Sequence, residues 1–244
     1  MILTRVVPMP VESRPTDAPD FTAWVAHLYR PDRPDWLRLN LITSVNGSAT
    51  GRDGTSESLS NRTDRRILGV LRDLSDVVLV GASTVRAEGY VRPRRAALAV
   101  VTRTGDLGGH RLDPGPSRGA LLIVCPRGSE ERVRRAAAIP DARILGVETD
   151  GDDLSPAATV TALRGEGMAS VVCEGGPSLA TALLTGGVVD ELCLSTSATL
   201  VAPGLPLVPP DRAADVELSL RQLLVDEQGS LYARWSVPGA RATS

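Results

Sequence analysis

The stretch richest in potential chemistry is Glu174-Gly175-Gly176-Pro177, which follows the apolar residues Val171–Cys173 and precedes a run of small residues. This order predicts a buried strand, a sharp turn and a helix. Proline suits the first helical position, and the first turn of a helix has unpartnered N–H groups and a partial positive charge. A phosphate fits such a turn. The stretch is therefore interpreted as a cradle for a dinucleotide pyrophosphate, and the alternative is a tight strand–helix turn without a ligand.

A second glycine turn follows the apolar run at residues 76–80. Gly81 comes directly before Ala82, Ser83 and Thr84, whose N–H and hydroxyl groups suit an anion. Glu88-Gly89 ends the short helix that this segment predicts. Two such turns in one chain favour a shared anionic cofactor over two purely structural turns.

Three further polar positions allow two interpretations each. Arg103 and Thr104 follow a predicted strand at 97–102, and a cation beside a hydroxyl suits a ribose 2′-phosphate, which favours NADP over NAD; an exposed loop arginine explains them equally well. Arg72, on the polar edge of a predicted helix, is either a solvated charge or a fork for a carboxylate or phosphate. Asn46-Gly47, after a predicted strand, is either a ligand-facing turn or a hairpin turn.

The composition excludes several classes of protein. The 244 residues carry a net charge of −2, with only 3% aromatic residues, so no nucleic-acid partner is expected. No apolar run of about 18 residues predicts a membrane span. The cysteines lie singly in apolar runs, and the histidine and cysteine motifs of a zinc deaminase are missing, so no metal site is expected. These features predict a cytoplasmic protein.

The order of elements predicts an α/β fold with one mostly parallel central sheet, helices on both faces and a C-terminal antiparallel hairpin. Residues 1–36 are predicted to be an N-terminal arm that wraps the domain or a partner subunit, and residues 37–240 a single domain. Residues 105–119 are predicted to be a Gly/Pro loop. The predicted helix N-caps are Asp20, Ser60 or Asn61, Ser129, and Ser155.

Three motifs together resemble the reductase domain of bacterial riboflavin biosynthesis, a pyrimidine reductase family with a dihydrofolate-reductase-like fold. They are LNLITSVNG at 39–47, LRDLSDVVLVGASTVRAEGY at 71–90, and VCEGGPSLATALLTGGVVDELCL at 172–194. The resemblance spans about residues 37–237. Many members also carry an N-terminal zinc deaminase domain, whose motif is missing from this sequence.

The resemblance, together with the turns described above, implies an NADPH site and a site for a small-molecule substrate. Expected cofactor-binding residues are Thr43, Gly81, Thr84, Glu88, Arg103, Gly175, Gly176, Pro177, Ser178, Leu179 and Ala180. Expected substrate-binding residues are Ser56, Arg72 and Glu174, with the substrate phosphate held by Arg92, Arg94 or Arg95. Glu174 and Asn46 are expected to be catalytic. The sequence departs from the family at Asn46, where an aspartate is usual, at Ser58, where a tryptophan is frequent, and at Glu88, where an aspartate is more usual.

The implied reaction is NADPH-dependent hydride transfer to C1′ of the ribose of 5-amino-6-(5-phosphoribosylamino)uracil, with the proton donor left open. Because the amide of Asn46 cannot carry a proton, two alternatives remain. One is reduction of another heterocycle, such as dihydrofolate, and the other is a non-catalytic NADPH-binding protein. Since the family is generally dimeric, a homodimer is expected, with residues 188–194 and the terminal hairpin as the candidate interface.

Overall fold

A computed structural model of the protein describes residues 1–110, 112 and 119–238. The strands are β1 (Ile2–Val7), β2 (Glu12–Pro15), β3 (Leu37–Ser44), β4 (Val77–Gly81), β5 (Ala97–Val101), β6 (Leu121–Pro126), β7 (Arg143–Val147), β8 (Thr149–Asp150), β9 (Asp153–Leu154), β10 (Val171–Cys173), β11 (Glu191–Ser197), β12 (Ser219–Asp226) and β13 (Leu231–Ser236). The helices are α1 (Phe21–Leu28), α2 (Arg62–Asp73), α3 (Ala82–Glu88), α4 (Glu130–Ala137), α5 (Pro156–Gly165) and α6 (Pro177–Thr185).

One 11-stranded sheet organises the chain, in the order β2-β1-β12-β13-β11-β3-β10-β4-β5-β6-β7. The strands from β11 to β7 in this order pair in parallel, whereas β2, β1, β12 and β13 pair antiparallel. The predicted mostly parallel sheet and C-terminal hairpin are therefore confirmed. Short β10 lies between β3 and β4, with Val171 opposite both Leu37 and Val77.

Helices cover both faces of the sheet, as predicted. The first core contains buried side chains of α1 to α4, such as Phe21, Leu71, Val85 and Val133. The second contains buried side chains of α5 and α6, such as Leu163. Apolar strands between two cores are typical of parallel sheets, because helices shield both faces from water.

Residues 1–36, predicted to be an arm, contribute to the same sheet and the same core. β1 pairs with β12, and Phe21 of α1 is fully buried. The sheet therefore continues across the predicted boundary at residue 36. The other predicted boundary, at residue 240, lies outside the described residues, as do positions 111 and 113–118 of the predicted loop.

The predicted helix N-cap positions are confirmed, but only two of these residues make a side-chain cap bond. Asn61 and Ser155 accept hydrogen bonds from the N–H groups of Asp64 and Ala158. Asp20 and Ser129 precede α1 and α4 without a side-chain cap bond. These two positions have helical backbone angles, whereas a capping side chain normally requires an extended backbone.

A buried charged cluster joins β3, β11 and β13 beneath α1. Glu191 is 0% exposed, and its carboxylate accepts hydrogen bonds from Arg234 Nε at 2.5 Å and Trp36 Nε1 at 3.2 Å. Arg38 Nε lies 3.4 Å from the same carboxylate. One anion thus balances two buried guanidinium groups.

Replacing this anion should destabilise the fold strongly. In Glu191→Gln, two buried guanidinium groups lose their counter-charge, and we expect the free energy of unfolding to fall by about 3–5 kcal/mol. Urea denaturation measures the change. Glu217→Gln, at an exposed position, is the matched control and should change the free energy by less than about 0.5 kcal/mol. Equal stability of the two variants would contradict this account.

Candidate active site

The two glycine turns meet at the carboxyl edge of the sheet. Because β3, β10 and β4 are parallel neighbours, the residues that follow them emerge at one rim. The N–H of Gly81 donates a hydrogen bond to the carbonyl of Gly175 at 2.7 Å. A Cβ at Gly176 would lie 2.8 Å from Thr84 Oγ1, and Gly175 has φ of +93°. Glycine is therefore required here both by close approach and by backbone conformation.

A cleft of about 530 Å³ opens beside these turns. The predicted site residues that line it are Ser56, Arg72, Thr84, Glu88, Glu174, Gly176 and Pro177. Predicted site residues away from its lining are Thr43, Asn46, Gly81, Arg103, Gly175, Ser178, Leu179 and Ala180. The cleft therefore brings together the predicted substrate-binding residues and part of the predicted cofactor-binding set.

A bidentate ion pair between Arg72 and Glu174 forms one wall of the cleft. Nε and Nη2 of Arg72 each donate to a different carboxylate oxygen of Glu174, both at 2.7 Å. Nη2 also donates to Tyr90 Oη at 2.9 Å. Burial acts to lower the pKa of Arg72, but the hydrogen bonds and charge of Glu174 outweigh it, so the pKa of this guanidinium is raised. The sequence predicts that Arg72 is either a solvated charge or a ligand for a carboxylate or phosphate. Its guanidinium binds the carboxylate of Glu174 and holds it as a hydrogen-bond acceptor in one position.

Helix α2 supplies further cleft residues that the sequence analysis missed. Asp64, Arg65 and Leu68 line the cleft on the same side of the helix as Arg72. Positions three and four residues apart share a helix face. Leu68 is four residues before Arg72, and Asp64 and Arg65 are four and three residues before Leu68, so this spacing could have predicted that they line the same site. Arg65 is 53% exposed and pairs with Glu57 at 2.5 Å.

The arginines after Tyr90 lie away from the cleft lining. Arg92 is 2% exposed, and its Nη atoms donate to the carboxylate of Asp141 at 2.6 and 2.9 Å. Arg92 Nε donates to the carbonyl of Leu112 at 3.1 Å. These contacts give Arg92 a structural role, and Arg65 and Arg72 are the arginines at the cleft among the described residues.

Asn46 clamps a distant loop to the turn after β3. Its Nδ2 donates to the carbonyl of Val201 at 2.8 Å, and its Oδ1 accepts from the N–H of Val201 at 3.0 Å. Backbone bonds from Val45 to Thr199 and from Ala49 to Leu205 continue the contact. Leu205 lines the cleft. Asn46 therefore shapes the cleft through this loop, because its amide offers both a donor and an acceptor to the backbone of Val201, whereas a carboxylate offers only acceptors.

Two other predicted positions are occupied by local contacts. Ser58 donates to Asp53 at 2.6 Å, and this hydrogen bond lowers the pKa of Asp53. Arg103 follows β5, one strand beyond β4, and donates to the carbonyl of Asp152 at 3.1 Å. Arg103 therefore lies at the same rim as Gly81 but farther along the sheet.

The part of the chain that the structure describes has no helix with the length and apolar character to cross a bilayer. It also brings no three His, Cys, Asp or Glu side chains together in a way that would hold a metal ion.

The sequence family described as RibD C-terminal domain matches residues 35–230. The chain belongs to this family. The expected resemblance is thereby confirmed, and the match includes the two glycine turns, the Arg72–Glu174 pair and helix α2. None of the curated proteins matches the chain.

Solved structures show the same fold as this RibD C-terminal domain. A pyrimidine reductase-like protein of Corynebacterium diphtheriae is 22% identical with a TM-score of 0.69, covering 87% of this chain and 98% of its own. A bifunctional deaminase and 5-amino-6-(5-phosphoribosylamino)uracil reductase of Thermotoga maritima is 18% identical with a TM-score of 0.67, covering 89% of this chain and 59% of its own. The riboflavin biosynthesis reductase Rib7 of Saccharomyces cerevisiae is 14% identical with a TM-score of 0.64, and the match covers 88% of this chain and 96% of the Rib7 chain.

The hydrogen bonds between Asn46 and Val201 predict that an aspartate at position 46 destabilises the fold in a pH-dependent way. In Asn46→Asp, a carboxylate faces the Val201 carbonyl without a proton to donate, so the free energy of unfolding should fall by about 1–3 kcal/mol. A protonated aspartate can donate. The folded state then binds more protons than the unfolded state, so the deficit should shrink as the pH falls.

Denaturation at pH 7 and at acidic pH measures the change. Val45→Asp is the matched control, because it adds the same charge at a neighbouring side chain that is 64% exposed. A pH-independent deficit, or equal deficits in the two variants, would contradict the clamp.

Proposed function

We propose that the chain is an NADPH-dependent reductase that transfers hydride to C1′ of the ribose of 5-amino-6-(5-phosphoribosylamino)uracil. Membership of the RibD C-terminal domain family supports a reductase of riboflavin biosynthesis. The observation that carries the proposal is the joint position of the two glycine turns and the Arg72–Glu174 pair around one cleft. A dinucleotide-binding rim at the carboxyl ends of parallel strands is the usual arrangement in such sheets.

The residues at the rim fit a nicotinamide dinucleotide. Helix α6 begins after Gly176 with Pro177 at its first position, and no side chain caps it. The N–H groups of Ser178 and Leu179 therefore lack helical acceptors and suit a pyrophosphate. Thr84 adds a hydroxyl at the cleft. When bound, the reduced nicotinamide would supply the hydride.

The other side of the cleft fits a phosphorylated polar substrate. Glu174 is held with both oxygens on Arg72, and it would accept hydrogen bonds from the pyrimidine or from a ribose hydroxyl. Arg65 would bind the substrate phosphate, since its exposed pair with Glu57 is weak and a phosphate can replace that carboxylate. The side chains of Leu41, Leu68 and Leu205 supply apolar lining that would reduce access of water to the reacting carbon.

A turnover assay tests the function. Purified protein is mixed with NADPH and 5-amino-6-(5-phosphoribosylamino)uracil, and loss of the reduced-nicotinamide absorbance is followed together with product mass. We expect one NADPH consumed for each ribityl product. Saturable NADPH binding without consumption would reject this substrate, and a parallel assay with dihydrofolate would then test the other heterocycle. Absence of both binding and consumption would reject the proposal.

A matched pair of glycine variants sharpens the cofactor assignment. A Cβ at Gly176 would meet Thr84 Oγ1 at 2.8 Å, whereas a Cβ at Gly165 has nothing within 4 Å. In Gly176→Ala, we expect the Kd for NADPH to rise at least tenfold, or about 1.4 kcal/mol. Gly165→Ala should bind NADPH like the unaltered protein.

The same family membership leads us to propose a homodimer, formed through the face of β11, β12 and β13. Leu192 of β11 pairs with Trp235 of β13, which pairs with Leu220 of β12, so these side chains share one face. Leu231 lies on the same face, since it is four residues from Trp235 in one strand. Leu220 and Leu231 are 40% and 38% exposed. A second copy of the chain would bury this apolar strip.

A charged substitution tests the interface. Leu231→Glu should convert a dimer into a monomer, because burial of an unpaired carboxylate opposes association. Sedimentation velocity at micromolar concentration measures the oligomeric state. Val91→Glu, at another exposed apolar side chain, should remain dimeric. A monomeric unaltered protein, or a dimeric Leu231→Glu variant, would contradict this interface.

A further inference from the structure

Asp64 is a cleft carboxylate that is held on both oxygens by neutral side chains. Its Oδ1 accepts from Ser195 Oγ of β11 at 2.7 Å, and its Oδ2 accepts from Ser60 Oγ at 2.7 Å. Asp64 and Ser60 both line the cleft. Asp64 is thus fixed between the sheet and the space proposed for the substrate.

The other cleft carboxylates are in different surroundings. Glu174 accepts a hydrogen bond from the Arg72 guanidinium on each of its two oxygens. Glu57 is 68% exposed and pairs with Arg65, and Glu88 is exposed and accepts the N–H of Ser56 at 3.1 Å. Among the described residues, no cation lies within 4.0 Å of Asp64 in an ion pair. Asp64 is therefore the cleft acid best suited to holding a proton.

The charged and titratable groups around Asp64 have opposing effects. Burial is the largest influence and raises the pKa of Asp64, while the hydroxyls of Ser195 and Ser60 lower it. Arg65 also lowers the pKa and Glu57 raises it. On the sheet side the titratable neighbour is Tyr232, which is 2% exposed. The first-turn N–H groups of α2 favour the charged form, yet the net shift is upward because burial prevails.

We propose that Asp64 is the general acid that protonates the ribose ring oxygen O4′ as the C1′–O4′ bond opens, an assignment that rests on the proposed function. The nitrogen lone pair forms a C1′=N bond as the C1′–O4′ bond breaks, and O4′ takes the proton of Asp64. C1′ then accepts the hydride, and the electron pair of the C=N bond returns to nitrogen. Asp64 is left ionised and regains a proton from water, with the hydroxyl of Ser60 as the relay.

Three variants test this role by pH-dependent turnover. The acid must be protonated to act, so the rate of the unaltered protein should fall as the pH rises through the pKa of Asp64. Asp64→Asn should lower kcat by about 10²-fold or more, because general acids contribute about 10²–10⁴-fold. It should also remove the fall in rate at high pH, which is the alkaline limb of the pH–rate profile. KM should change less than kcat, since substrate binding rests on Glu174 and Arg65. Asp73→Asn, at an exposed carboxylate of the same helix, should behave like the unaltered protein.

Ser195→Ala distinguishes proton donation from a structural role. Removing the Ser195 hydrogen bond, which stabilises the charged form, should raise the pKa of Asp64 and move the alkaline limb to higher pH. Because this variant retains the carboxyl group of Asp64, it tests proton donation by Asp64 even where Asp64→Asn folds poorly. An unmoved limb in Ser195→Ala would overturn the assignment.

A measurement without turnover completes the test. Carbon-13 NMR of aspartate-labelled protein should show one carboxyl that titrates above the ordinary range of about 3.9, absent from Asp64→Asn and shifted upward in Ser195→Ala. Ordinary titration of Asp64, or turnover by Asp64→Asn close to that of the unaltered protein, would overturn the role of Asp64 and leave the proposed function standing. Failure of the unaltered protein to consume NADPH with this substrate would overturn both.

Discussion

The position of β10 between β3 and β4 is the constraint on which the cleft depends. Parallel pairing on both sides fixes where β10 ends, and the hydrogen bond between Gly81 and Gly175 locks its turn against the turn after β4. Because a strand between two parallel neighbours cannot shift its register without breaking two ladders, Glu174 is held at one height above the sheet. Both the proposed pyrophosphate site and the proposed substrate site follow from that position.

Electrostatic surroundings then give the cleft carboxylates different properties. Glu174 accepts hydrogen bonds from the guanidinium of Arg72 on both oxygens, whereas Asp64 accepts from two serine hydroxyls and its pKa is raised by burial. A pair of carboxylates with opposed environments is the usual way in which one site combines charge stabilisation with proton donation. Helix α2 makes this possible because Asp64 and Arg72 lie two turns apart on it.

The presence of an amide at position 46 has a physical explanation in the loop that lines the cleft. An aspartate at this position could accept the Val201 N–H but could not donate to the Val201 carbonyl unless it were protonated. The amide therefore fits a wall built from a distant segment that carries Leu205. Its amide oxygen also accepts a hydrogen bond from Ser44 Oγ at 2.7 Å, so the side chain joins its own turn to this segment.

By itself the sequence determined most of the elements and their order, because apolar runs, glycine turns and cap residues act locally. It predicted the parallel sheet, the terminal hairpin and the strand–turn–helix of Glu174–Pro177, and local rules identified Ser155 as a cap. It missed β1 and β2, since β1 joins the sheet through β12, more than two hundred residues away, and β2 pairs with β1 at the sheet edge. It also left unassigned the partners of Arg72 and Asn46, because such contacts join segments distant along the chain. Only the tertiary structure decided that Arg92 binds Asp141 outside the cleft lining while Asp64 and Arg65 line it: the direction in which a side chain points depends on how its helix packs on the sheet.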